Sequence, residues 1–308
     1  MTSSSASSDG FGALRLSPSS LANLAQLGYA RMTPIQAASL PITLAGGDLI
    51  AQASTGSGKT VAFGLPLIER LQSAGSPSAP VQAVVLCPTR ELADQVTQEI
   101  RRLARARPNV KVVTLCGGVA LRGQVQSLAH GADIVVGTPG RILDHLERGS
   151  LSLAVVNTLV LDEADRMLDM GFLDDIARVA RQCAKDRQTL LFSATYPEGI
   201  DKLAAQFMRT PQTVKVEALH SAHKIRQIFV EVTETERLHA VSTLLAHFRP
   251  ERTLAFCNTK QQCRDLVDVL QAQGHVALAL YGELEQRERD QVLVQFANRS
   301  CSVLVATD

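Results

Sequence analysis

Short apolar runs alternate with amphipathic stretches along most of the chain. Runs rich in Val, Leu, Ile and Ala at 48–53, 81–87, 110–116, 133–138, 156–161 and 189–193 read as buried strands. Helical patterns lie between them, as at 91–106 and 139–148. This alternation predicts an α/β fold in which a parallel sheet carries helices on both faces and the crossovers are right-handed. Ligands of such sheets bind at the carboxyl ends of the strands. Lys59, Arg90, Arg141, Asp162 and Thr195 each follow a run closely and should therefore share one rim. Periodicity breaks after Val216, and the alternation then restarts. Strands are expected at 226–233, 253–257, 276–280 and 302–306, with helices running to Phe248, Gln273 and Ala297. The organisation expected is a disordered tail at 1–10, a first domain at 11–217, a linker at 218–224 and a second domain at 225–308.

Composition narrows this picture only a little. A chain of 308 residues with 45% hydrophobic side chains can bury two cores. Its 31 basic and 30 acidic side chains leave a formal charge of +1, so any grip on nucleic acid must come from local sites. The six cysteines include no C-x-x-C pair and read as buried, reduced thiols of a cytoplasmic protein. His220 and His223 have no further ligand near them and read as linker residues. The Ser-rich start has no apolar core for a signal peptide, and no run is long enough to span a membrane. A monomer is expected.

The chemistry concentrates at strand ends. Asp162 and Glu163 follow the apolar run that ends at Leu161. Adjacent carboxylates there need a cation or hydrogen-bond donors to offset their burial. Upstream, Ala53-Ser54-Thr55-Gly56-Ser57-Gly58-Lys59-Thr60 has the make-up of a phosphate-binding loop that opens a helix. Its backbone N–H groups would cradle phosphates, Lys59 would reach the β- and γ-phosphates, and Thr60 would meet magnesium. The common form of this loop has Gly where this chain has Ala53. ATP with Mg2+ is the cofactor expected. Asp162 would hold the metal through water, and Glu163 would orient or deprotonate the attacking water.

With these residues in place the chain resembles the DEAD-box RNA helicases over nearly its whole length. The resemblance implies two tandem RecA-like domains, the second incomplete. It rests on Asp162-Glu163-Ala164-Asp165, on Gly28-Tyr29 with Thr33-Pro34-Ile35-Gln36, and on Phe11 upstream. It implies that Gln36 hydrogen-bonds adenine, that Phe11 stacks on it, and that Thr33 belongs to the same nucleotide-binding segment. Pro88-Thr89-Arg90-Glu91-Leu92, Gly117-Gly118 and Thr138-Pro139-Gly140-Arg141 match segments that contact RNA. Ser193-Ala194-Thr195 matches the segment linking ATP to RNA, its hydroxyls bonding Asp165. Phe256-Cys257-Asn258-Thr259, Gln286 with Arg289, and Ala306-Thr307-Asp308 match later motifs, with Gln286, Arg289 and Thr307 implied as RNA contacts. Contacts of this kind go to phosphates and 2′-hydroxyls and tolerate many sequences.

The stretches 86–96, 115–118 and 256–260 also resemble a bacterial branch of the family, which implies ribosomal RNA or pre-ribosomal particles as partners during large-subunit assembly. An Arg-Gly-x-Asp segment and an arginine-rich segment belong to the family pattern beyond Ala306-Thr307-Asp308 and do not occur in these residues. The expectation is a truncated helicase that hydrolyses ATP poorly. The alternatives are an ATP-switched RNA clamp that does not unwind, and a DNA-directed translocase of the same superfamily. Arg101, Arg102, Arg105 and Arg107 read as the solvated end of a helix, where positive charge suits the dipole, with an RNA patch as the other reading.

Overall fold

The computed structural model describes residues 10–72, 80–196, 198–216 and 226–307. The tail up to residue 9, the linker 218–224 with His220 and His223, and Asp308 lie outside the described residues. The chain divides into two compact units, Met1–Leu219 and His220–Asp308.

Seven parallel strands form the sheet of the first unit: β1 (Leu49–Gln52), β2 (Ala83–Leu86), β3 (Val112–Leu115), β4 (Ile134–Gly137), β5 (Thr158–Leu161), β6 (Gln188–Ser193) and β7 (Gln212–Lys215). Their order is β3-β4-β2-β5-β6-β1-β7. Alternate strand residues serve opposite cores, as the period of two requires. Ala83 and Val85 of β2 join one apolar cluster, whereas Val84 and Leu86 join the other. The first cluster is closed by α2 (Pro34–Leu44), α3 (Lys59–Glu69) and α4 (Arg90–Leu103). The second is closed by α6 (Pro139–Glu147), α7 (Ala164–Asp169), α8 (Leu173–Gln182) and α9 (Glu198–Phe207). Strands buried on both faces explain why β2, β4 and β5 read as unbroken apolar runs.

Local chemistry fixes the helix starts. The Thr89 hydroxyl caps α4 by accepting the Leu92 N–H at 3.3 Å. Ala93, Val96, Ile100 and Leu103 then face inward at helical spacing. α5 (Leu121–Ala129) joins β3 to β4, and α1 (Pro18–Gln26) precedes α2. Gly137 is required where it stands: a Cβ there would lie 2.1 Å from the Leu115 carbonyl oxygen of the neighbouring strand.

The second unit holds a small parallel sheet, β8 (Thr253–Cys257), β9 (Ala277–Leu280) and β10 (Val303–Thr307), in the order β8-β10-β9. Its helices are α10 (Arg237–Phe248), α11 (Lys260–Ala272) and α12 (Gln286–Ala297). Cys263, Leu266, Val267 and Leu270 of α11 pack on Ala277, Val303 and Val305.

One sequence expectation is corrected, and one strand lies outside those expected. The strand expected at 226–233 does not form. Its residues carry a strand-like pattern but pair with no edge among the described residues, and Phe229 is 91% exposed. Alternation alone makes no strand without a neighbour to bond to. The strand not expected is β7: no apolar run announces it because it is a largely exposed edge strand, yet it pairs with β1 from Leu49↔Gln212 to Gln52↔Lys215.

Candidate functional site

The carboxyl ends of β1, β6 and β5 lie side by side, because these strands are neighbours in the sheet. Each delivers one part of the site. The loop after β1 turns through Gly56 (φ 78°) and Gly58 (φ 93°), both left-handed, and runs into α3. Ala53 has no such φ, so the departure from Gly at that position carries no backbone strain. Its N–H instead extends the ladder to the Ser193 carbonyl at 3.0 Å. The buried Lys59 Nζ donates to the Ala53 carbonyl at 3.1 Å.

Asp162 follows β5 and is 3% exposed. Burial pushes its carboxyl up to about 6, against the pull of the Lys59 ammonium and with the support of the Glu163 charge. Glu163 stands in left-handed backbone, φ 52° and ψ 52°, as the residue that starts α7. A side chain longer than Gly or Asn rarely adopts that conformation. Next in line, Asp165 is held by Thr195, whose N–H and hydroxyl each reach Oδ2 at 2.8 Å. The Asp165 N–H donates to the Ser193 hydroxyl at 3.3 Å. Burial works to raise the Asp165 carboxyl, but the Thr195, Ser193 and Arg166 donors outweigh it and hold it below its ordinary value.

Gln36 and Phe11 are both buried. The Gln36 amide is buried and held at both ends: Oε1 accepts the Thr33 N–H at 2.9 Å, and Nε2 donates to the Gly58 carbonyl at 3.0 Å. Phe11 is 5% exposed within the core. Gln36 thus braces the phosphate loop through Gly58, while Phe11 packs in the first core. A Cβ at Gly58 would come within 2.5 Å of the Gln36 amide nitrogen, so loop and amide are fitted to one another.

The residues present fit a magnesium-bound nucleoside triphosphate. Ser57 Oγ and Thr33 Oγ1 are buried beside the loop with no partner among the described residues. Ser54, Thr55 and Gly56 form its open turn. Among the described residues no group of three or more His, Cys, Asp or Glu side chains could hold a metal by itself. Thr60 and Asp162 therefore need the nucleotide's own oxygens to complete a magnesium site.

The expected RNA segments occupy the same rim farther along the sheet. Pro88, Thr89 and Arg90 join β2 to α4, and Arg90 Nε lies 3.7 Å from Asp94 Oδ2. Thr138 precedes α6, and Gly140 is exposed in its first turn. Arg141 donates to the Val119 carbonyl at 3.1 Å and so ties α6 to the loop containing Gly117 and Gly118. The sequence reading missed two further supports of that loop. Gln124 Nε2 donates to the Cys116 carbonyl at 2.9 Å, and Gln124 Oε1 accepts from the buried His145 Nε2 at 3.1 Å. The first bond fixes the amide and thereby the imidazole tautomer. Arg141 and His145 stand four apart on one helix; that spacing was the only signal in the sequence. In the second unit, Gln286 opens α12 and donates to Asp290 at 2.9 Å, Arg289 lies one turn on, and Thr307 ends β10.

Residues 33–203 match the DEAD/DEAH box helicase family, and residues 236–308 match the helicase conserved C-terminal domain. The chain is similar to the ATP-dependent RNA helicase DbpA of Escherichia coli, with 51% identity over 95% of this chain and 64% of that one. It thus spans less than two thirds of that relative's length. Among solved structures it resembles a DEAD box protein from Methanococcus jannaschii, at 40% identity and a TM-score of 0.63 over 97% of this chain and 80% of the other. It also resembles Saccharomyces cerevisiae Dbp5 bound to RNA and ADP BeF3, at 28% identity and a TM-score of 0.83 over 97% and 76%.

Proposed function

The chain belongs to the DEAD-box helicase family, and from that premise we propose that it serves as an ATP-dependent RNA helicase that locally unwinds or remodels RNA duplexes. The observation that carries the reading is the clamp on Asp165. Through Thr195 and Ser193 it joins the strand-end carboxylates to the next strand, beside the Lys59 loop.

Each residue has a distinct task in this reading. The loop N–H groups and the Lys59 ammonium bind phosphate oxygens, with Lys59 leaving the Ala53 carbonyl to do so. Thr60 and Asp162 would hold magnesium, which when bound neutralises charge building up on the phosphates. Glu163, turned by its left-handed backbone, orients the attacking water and takes its proton. Thr195 and Ser193 keep Asp165 ionised and fixed, so that a change at the phosphates is felt at the start of α7. Thr89, Arg90, Gly118 and Gly140 present N–H groups, Thr138 its hydroxyl, and Arg90 and Arg141 their guanidinium groups to an RNA backbone, with Pro88, which has no N–H, setting the turn before Thr89.

Phosphate release measured with RNA and with single-stranded DNA of the same sequence tests this reading. RNA should stimulate turnover and DNA should not. Glu163→Gln should still bind ATP while losing turnover by roughly 100-fold or more; sustained turnover in that variant removes Glu163 from its role. Lys59→Ala should abolish ATP binding. We further propose a monomer acting in the cytoplasm on ribosomal RNA of the assembling large subunit, on the strength of the likeness carried by 86–96, 115–118 and 256–260. Stronger stimulation by large-subunit RNA than by an unrelated RNA of equal length is the expected result.

A further inference from the structure

At the amino-terminal end of β3, on the rim opposite the nucleotide loop, lies an open groove of about 610 Å³. Its lining includes Arg101, Arg105, Arg107, Lys111, Asn109 and His130, and it includes no Asp or Glu. That imbalance is local, since the whole chain carries 31 basic and 30 acidic side chains. Part of the charge is structural. Arg101 donates to the Val112 carbonyl at 2.7 Å, Arg107 to the Ile68 carbonyl, and Lys111 to the His130 carbonyl. Arg105 has no such duty: it lines the groove, is exposed, and makes no hydrogen bond or ion pair with any described residue.

The groove is also joined to the other rim. β3 is one of the two edge strands of the sheet. Its carboxyl end carries the Gly117 and Gly118 loop, and its amino end opens on the groove. α5 spans the same interval, running from just past that loop to His130 over about 13 Å. Residues 117–132 contain no carboxylate. Arg122, Gln126 and His130 follow one another at intervals of four, which places them on one face of α5, and all three are exposed. Arg122, like Arg105, is unpaired among the described residues. A cation, an amide and an imidazole thus lead from the loop into a cationic groove, without an acid to repel a phosphate chain.

We propose that this edge is a second RNA track: a strand leaving the Gly117 and Gly118 loop runs along α5, and its phosphates enter the groove under Arg105. The proposal rests on the reading of that loop as an RNA contact. Guanidinium forks match phosphate oxygens, and Asn109 and Gln126 can meet 2′-hydroxyls. Helix-end dipoles explain basic residues at the close of α4, but not the acid-free stripe on α5.

The double variant Arg105→Glu with Arg122→Glu tests the track, because neither side chain bonds to the rest of the protein. Binding is measured for a short single strand of about six nucleotides and a long one of about twenty. Wild-type protein should hold the long strand more tightly than the short one. The variant should lose at least tenfold for the long strand and nothing for the short one. Its salt dependence on the long strand should shallow by about 0.7 per lost phosphate contact. An unchanged grip on the long strand overturns the track. Equal losses on both strands also overturn it, since the two arginines would then act on the rim rather than beyond it. Wild-type protein that binds neither RNA defeats the RNA reading itself, which separates that failure from failure of the track alone.

Discussion

Asp165 is held by two donors from one residue, the N–H and hydroxyl of Thr195, and removing the hydroxyl leaves the backbone bond in place. Thr195→Ala should therefore keep ATP affinity while weakening the stimulation of turnover by RNA; a variant stimulated as fully as wild type would show that the hydroxyl transmits nothing. His145 offers a second residue-scale test, through pH. Burial holds its imidazole below the ordinary value, with Arg141 and Arg148 adding to the effect and Asp144 opposing it. The unfolded chain then binds a proton that the folded chain refuses, so stability is whole above the ordinary histidine value of about 6.5 and is lost as pH falls through the lowered folded value. The resistance of the first unit to urea should weaken from pH 7.5 to 5.5, and His145→Gln should flatten that dependence. Because His145 supports Gln124 and the Gln124 amide supports the Cys116 carbonyl, RNA affinity should fall over the same range.

At the scale of elements, the β3–β4 contact gives a direct test of packing. Any side chain at Gly137 meets the Leu115 carbonyl, which belongs to a strand and cannot step aside. Gly137→Ala should lower the stability of the first unit by about 1–3 kcal/mol, read as a shift of its urea midpoint without change of slope. The sequence made β2, β4 and β5 legible because burial on both faces turns them into apolar runs. It hid β7 because an edge strand needs no such run, and it suggested a strand at 226–233 because alternation records what a segment could do, not whether an edge awaits it. The same limit applies to the site. Asp162, Glu163 and the Lys59 loop stand at strand ends that periodicity locates, so their rim could be inferred. The Gln124–His145 bond joins two helices separated by a strand, and the Gln36 amide bonds a loop 22 residues away; no local pattern announces either.

At the scale of the whole molecule, the two units differ in how well they are enclosed. The first has an apolar core on each side of a seven-stranded sheet. The second has one core under three strands, and Leu254 and Phe256 on β8 remain 55% and 71% exposed. Apolar area removed from water is the main favourable term in folding, so the second unit should open first. Hydrogen exchange on the full chain should then show β8, β9 and β10 exchanging ahead of β2, β4 and β5. Nucleotide sharpens the test, because every residue assigned to the phosphates lies in the first unit. A ligand that binds only the folded state stabilises by RT ln(1 + [L]/Kd), about 2.7 kcal/mol at a hundredfold excess over Kd. ATP with magnesium should slow exchange in β1, β5 and β6 by that margin and leave β8 to β10 unmoved. Equal protection of both sheets by nucleotide alone would mean that the units open as one body, and the assignment of the nucleotide's stabilising effect to the first unit would fail.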